Sequence, residues 1–263
     1  MKLPQLADAL CAFLMARQKA EPFIFGLSGG QGAGKTTLCN ALSEQLQAHG
    51  KSALTLSLDD FYLSQAARQK LADTVHPLCA TRGVPGTHDV TRLGAVLAQL
   101  SEVSPTTPLA VPRFSKSHDD ISDDVTIETR PDFVFLEGWC VGGKATCVTP
   151  RPQNDWEAEH DPDAIWKSWT QHAAAAYQKI CQSCDALMLL RQKDFEAVID
   201  SRWLQEQGNA AQSGVWQFAD RAAVAEFCAH YESWTLGIWK DLADEADFVI
   251  GRSDAYDYYS IRG

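Results

Sequence analysis

Phe23-Ile24-Phe25-Gly26-Leu27-Ser28-Gly29-Gly30-Gln31-Gly32-Ala33-Gly34-Lys35-Thr36-Thr37 reads as a short apolar strand that runs into the phosphate-binding pattern G-x-x-x-x-G-K-[ST] and then into a helix. Glycines leave backbone N–H groups free to wrap phosphates, Lys35 adds a point charge, and the Thr36 hydroxyl suits Mg²⁺. Gly29, Gly30, Gln31, Gly32, Ala33, Gly34, Lys35, Thr36 and Thr37 are therefore the candidate nucleotide-binding residues, with ATP and Mg²⁺ as the expected ligands.

Outward from this loop, residues 36–48 read as a helix ended near Gly50, and residues 52–58 as a buried strand running into Asp59-Asp60-Phe61-Tyr62. In an open parallel sheet ligands bind at the carboxyl ends of the strands, so Asp59 and Asp60 are placed to face the triphosphate. A second internal strand, Phe133-Val134-Phe135-Leu136, ends in Glu137-Gly138-Trp139. That glutamate is a candidate to organise the metal, through water or from behind its inner ligands.

Residues 74–89 are rich in turn formers and polar side chains, including His76 and His88, and read as a functional loop. A helix over 90–100 and a Pro/Thr-rich link over 104–108 follow, and then Pro112-Arg113-Phe114-Ser115-Lys116-Ser117-His118-Asp119-Asp120, whose cations suggest a local anion site. Residues 142–163 lack clean periodicity and read as a surface excursion. Helices are expected over 164–184, 195–207 (carrying Arg202) and 220–243, and strands over 186–190 and 248–250. Strands alternating with helices, without repeats, give an α/β fold of the P-loop NTPase kind, with a mostly parallel doubly wound sheet, helices on both faces and a helical lid. The expected organisation is one kinase domain over 1–263, with an N-terminal helix in 1–20, the nucleotide-binding core from 21, the excursion near 142–163 and the lid near 194–207.

The chain has 263 residues, enough for a sizeable core, and a net charge of −11, which argues against nucleic acid or an anionic membrane as the main partner. Eight cysteines without metal or disulfide spacing fit reduced thiols in a cytoplasmic protein, and Cys181 and Cys184 read as packing residues rather than a redox pair. Leu3, Leu6, Leu10, Phe13 and Leu14 recur at helical spacing, so the N-terminus reads as a packed helix and not a signal segment. Leu27-Ser28-Gly29-Gly30-Gln31 spells the signature of ABC-transporter ATPases, but it overlaps the phosphate loop instead of lying far downstream, and is discounted.

Phosphoryl transfer needs a held triphosphate, a metal, a cation over the developing charge and a group that deprotonates the nucleophile. Lys35 and Thr36, Glu137, Arg202 and Asp59 fill these roles in turn, giving Lys35, Asp59 and Arg202 as catalytic candidates and Thr36 and Glu137 as metal candidates.

The residues 57–62, His76-Pro77, Arg82-Gly83-Val84-Pro85-Gly86-Thr87-His88-Asp89, the block Pro112-Arg113-Phe114-x-Lys116 and Leu136-Glu137-Gly138-Trp139 together resemble the D-glycerate 3-kinase family. That family belongs to the phosphoribulokinase, uridine kinase and pantothenate kinase branch of P-loop kinases, and the likeness runs from about residue 20 to the last strand. The resemblance selects Asp59 over Asp60 as the base. It implies an acceptor pocket drawing on Asp60, Tyr62, Arg82, His88, Asp89, Arg113 and Lys116, and a lid with Gln205 and Glu206 beside Arg202. Ser201, Ser115 and Ile121 depart from the family pattern, the last two in the acceptor region. The implied activity is phosphorylation of a hydroxyl on a small metabolite, D-glycerate to 3-phosphoglycerate first. Another small alcohol (a nucleoside, pantothenate or a sugar phosphate) and an ATPase or nucleotide switch remain as rivals. No Asn-Lys-x-Asp guanine signature occurs.

Overall fold

The computed structural model describes residues 1–262; Gly263, the last residue of the expected domain, lies outside the described residues. In chain order the elements are α1 (Leu3–Met15), β1 (Phe23–Gly29), α2 (Lys35–Ala48), β2 (Ala53–Ser57), α3 (Gln65–Thr74), α4 (Val90–Gln99), β3 (Leu109–Ser115), β4 (Asp120–Ile127), β5 (Phe133–Gly138), α5 (Asp155–His160), α6 (Ile165–Cys181), β6 (Ala186–Gln192), α7 (Phe195–Ser213), α8 (Arg221–Glu245), β7 (Phe248–Arg252) and β8 (Tyr258–Arg262). The main sheet runs β2-β5-β1-β6-β7-β8; its neighbours pair in parallel up to β7, and β8 closes the edge antiparallel to β7. The strands β3 and β4 form a separate antiparallel hairpin.

Alternation along the strands explains the two faces. Phe133 and Phe135 of β5 pack with Leu6, Leu10 and Leu14 of α1 and with Leu38, Leu42 and Leu46 of α2. Val134 and Leu136 pack on the other face, in the core that also holds residues of α4, α6 and α8. Both faces are covered, which is why the central strand β5 is buried along its whole length and opens on four apolar residues. Since β1 lies between β5 and β6, the strand order reverses at β1, and its carboxyl end is the crevice where such sheets bind ligands. No helix among the described residues is long and apolar enough to cross a membrane.

Several elements differ from the sequence reading. The helices α3 and α5 and the strands β3, β4 and β8 were not expected, and α7 runs on to Ser213, beyond the expected end at 207. The 142–163 segment is not a loose excursion: Cys147 and Val148 sit in the main core, and Glu157 and Asp161 are buried. Glu157 meets Lys167 of α6 at 2.5 Å and accepts from Ser233 of α8, so polar side chains that look solvated in sequence pin this segment to two helices. Cys181 and Cys184 are free, half-buried thiols.

Candidate active site

The phosphate loop joins β1 to α2 and is clamped from both sides. Gly32 (φ +68°) sits so close to α7 that a Cβ there would lie 2.7 Å from the Ser201 backbone, and Gly34 (φ +97°) takes the left-handed conformation that opens α2. Neither position tolerates a side chain cheaply, and the first N–H groups of α2 are left available to an anion. Lys35 Nζ donates to the carbonyls of Gly29 (2.8 Å) and Gly30 (3.2 Å), and no carboxylate pairs with it among the described residues.

The register sets Glu137 beside this loop, since it pairs with Leu27 of β1 on one side and Ser57 of β2 on the other. The Thr36 hydroxyl donates to Glu137 Oε1 at 3.2 Å. The end of β2 tightens into a 3₁₀ turn over Leu58–Phe61, which carries Asp59. Asp59 Oδ2 is 2.6 Å from Lys116 Nζ, and the Tyr62 hydroxyl donates to Oδ1 at 3.0 Å. Burial pushes the Asp59 carboxyl up, but the charge and hydrogen bond of Lys116, helped by Lys35, outweigh it and hold its pKa below the usual carboxylate range.

A cavity of about 910 Å³ gathers most of the sequence-named residues: Gln31, Gly32, Gly34, Lys35, Thr36 and Thr37 of the loop, with Asp59, Tyr62, Arg82, Lys116, Glu137, Arg202 and Gln205. Gly29, Gly30 and Ala33 are not part of its wall. Arg202 is buried at its edge, donating to Glu206 at 3.3 Å and Gln217 at 3.1 Å.

Four residues expected at the acceptor do not line this cavity. Asp60 meets Arg113 at 2.7 Å and accepts from the Phe114 amide, so this pair ties the β3–β4 hairpin to the turn after β2. Asp89 caps α4 by accepting from the Arg92 amide at 2.8 Å. His88 is buried, stacked on Tyr62 with ring centres 4.4 Å apart, and its Nδ1 lies 2.6 Å from the Tyr177 hydroxyl. Burial lowers its pKa to about 3, so its ring is neutral at pH 7 and props Tyr62. His76 opens a 3₁₀ turn, its Nδ1 accepting from the Leu78 amide.

Arg68 and Asp119 also line the cavity and were not singled out in the sequence. Nothing in the chain around Arg68 or Asp119 sets them apart, because a buried arginine has the same polar neighbours in sequence as a solvated one. Trp139 Nε1 donates to Gly83 O and Tyr231 OH to Arg82 O, both at 2.9 Å, and these bonds hold the 81–89 loop against the site.

The donor set fits a magnesium nucleotide. Lys35 has only backbone carbonyls as partners, which leaves its charge for phosphate. Glu137 is a buried carboxylate whose side chain is met by the Thr36 hydroxyl, a hard-oxygen pair suited to Mg²⁺. No group of three or more His, Cys, Asp or Glu residues that could hold a metal occurs among the described residues.

Comparison with known proteins adds four findings. Residues 4–136 match the KAP family P-loop domain. Over 240 residues the chain is 32% identical to the "Uncharacterized kinase mug58" of Schizosaccharomyces pombe, a match covering 86% of this chain and 85% of that protein. A chloroplastic D-glycerate 3-kinase of Arabidopsis thaliana is 33% identical over 133 residues, which is 47% of this chain and 29% of that protein. The solved D-glycerate 3-kinase from Cryptococcus neoformans shares the fold, with a TM-score of 0.77 at 22% identity over 97% of this chain and 99% of that one.

Proposed function

The chain belongs to the P-loop kinase family, with a KAP-family P-loop domain in its first half, and on that premise we propose that it transfers the terminal phosphoryl group of ATP to a hydroxyl of a small acceptor, D-glycerate first, to give 3-phosphoglycerate. The observation that carries the reading is one cavity in which an ionised carboxylate, Asp59, shares a wall with Lys35, Thr36 and two further cations, Arg82 and Lys116. When bound, Mg²⁺-ATP supplies the phosphoryl group and the metal charge. Lys35 and Thr36 hold it, and Glu137 supports the ion.

Asp59 accepts the proton of the acceptor hydroxyl as that oxygen attacks, with ADP as the leaving product. Its lowered pKa keeps it ionised and ready near neutral pH. Arg82 and Lys116 supply the cations that a small carboxylate needs, and Tyr62, Trp139 and Tyr231 give the pocket a partly apolar wall. The helix α7, which touches Gly32 through Ser201 and carries Arg202, acts as the lid. Water exclusion by such a lid favours transfer over hydrolysis.

An ADP-release assay with Mg-ATP tests this against D-glycerate, L-glycerate, uridine, pantothenate, ribulose 5-phosphate and a no-acceptor control. Stimulation by D-glycerate alone is expected. Stimulation by a different alcohol would replace the acceptor, and release without any acceptor would replace the kinase reading with an ATPase.

A further inference from the structure

The part of the cavity wall supplied by the turn after β2, by α3 and the loop after it, and by the β3–β4 turn holds three cations, Arg68, Arg82 and Lys116, and two carboxylates, Asp59 and Asp119. Lys116 is matched by Asp59. Arg68 and Arg82 share the other carboxylate: Arg68 Nη2 lies 2.9 Å from Asp119 Oδ2, and Arg82 Nη1 pairs with Asp119 Oδ1. One positive charge on this wall therefore has no protein counterpart.

The two arginines are not equivalent. The Arg68 side chain is 1% exposed and committed, donating to the carbonyls of Leu63, Ala80 and Asp119 at 3.2, 2.8 and 2.6 Å. The Arg82 side chain is 22% exposed, and its guanidinium has Asp119 as its hydrogen-bond acceptor among the described residues, which leaves most of its N–H donors for a ligand. Its guanidinium carbon also lies over the Phe114 ring, 5.3 Å from the ring centre.

We propose that Asp119 is a specificity-determining residue of the acceptor pocket. By answering one of two arginine charges it leaves a single one, presented by Arg82, and so selects an alcohol bearing one carboxylate. A phosphorylated alcohol brings about −1.5 to −2 charges at pH 7, and its excess would face Asp119 and Asp59. A neutral alcohol would leave the arginine charge desolvated and unanswered. The inference rests on the reading that a phosphoryl acceptor lodges in this cavity.

The test compares wild type, Asp119→Asn and Asp119→Glu. Asp119 has φ +53°, a conformation that asparagine adopts as readily, so the asparagine variant removes charge without new backbone strain. Two ratios are measured: kcat/KM for D-glycerate against ribulose 5-phosphate, and the dissociation constants of D-glycerate against glycerol 3-phosphate by calorimetry on the ADP-saturated protein. Wild type is expected to favour the monoanion in both, Asp119→Asn to lose about tenfold or more of each preference, and Asp119→Glu to restore it. Equal binding of both anions by wild type overturns the proposal. So does an Asp119→Asn variant that weakens both alike, which would leave Asp119 as a tie for the hairpin turn. Binding that follows the expected pattern while neither acceptor turns over supports the charge selection and breaks the kinase reading instead, so the two failures are separable.

Discussion

Two lysine–carboxylate pairs in this molecule have nearly the same length and opposite meaning. Lys116 stands 2.6 Å from Asp59 in the cavity wall, with 63% and 26% of their side chains exposed. Lys167 stands 2.5 Å from Glu157 with neither side chain exposed at all. The first pair is solvated and can open for a ligand, and such a pair contributes about 0.2–1 kcal/mol of stability. The second is also bonded to Ser233, and Asp161 beside it accepts from the backbone amides of Trp166 and Lys167, so nothing there is left to bind a ligand. Contact distance does not separate a functional pair from a structural one. Exposure and unused hydrogen-bonding capacity do.

The largest expected effect falls on the exposed pair. Asp59→Asn should cost about 10²–10⁴-fold in kcat, the scale of a lost general base, with nucleotide binding and the thermal midpoint little changed. Unchanged turnover would remove Asp59 from the chemistry and make the two pairs alike.

On the buried pair the effect should be on stability. Glu157→Gln leaves Lys167 buried without its counterion and should cost about 3–5 kcal/mol, read from the denaturant midpoint, while kcat per folded molecule stays near wild type. Replacing both partners by apolar residues, Lys167→Met with Glu157→Leu, should recover much of that loss. A large fall in kcat without loss of stability would give this pair a role at the site.

Lys116→Met sharpens the contrast through pH. Asp59 has a lowered pKa in the folded protein, so its ionised form, and any stability it lends, is present above the ordinary carboxylate value and lost as pH falls through the lowered one. Removing Lys116 raises that value, so the acid limb of kcat/KM should move to higher pH, with acceptor KM up by about tenfold and stability changed by no more than about 1 kcal/mol. An acid limb that stays in place would show that Lys116 does not set the Asp59 charge.

The smallest effect is expected at a third pair, Asp60 with Arg113, which ties the hairpin to the turn carrying Asp59 and lies outside the cavity wall. Arg113→Ala should cost less than about 1 kcal/mol and leave kcat within about twofold of wild type. A collapse of acceptor affinity would return Arg113 to the binding site.

The phosphate loop was legible because its pattern is contiguous: residues 29–37 lie within one strand–turn–helix. The strands over 53–57 and 133–138 were legible because their runs are largely apolar, and in the second every residue is buried. The hairpin was not. Its second strand, Asp120–Ile127, is acidic and mostly exposed, so it carries no burial pattern to read. Arg68 escaped notice because a buried arginine in a polar helix looks in sequence like a solvated one. The segment holding Glu157 looked like a surface excursion for the same reason, since its partners Lys167 and Ser233 come from distant helices.

By itself the sequence determined that this chain has a P-loop, an α/β order of elements, and a carboxylate after each of two strands, because those features depend on neighbours in the chain and on hydrophobic period. Only the tertiary structure decided which charges answer one another: Asp59 with Lys116, Asp60 with Arg113, Asp119 with Arg68 and Arg82, Glu157 with Lys167. Nearly all of these pairings join separate elements, and whether each one opens to a ligand or locks the fold depends on how much water its surroundings leave in place.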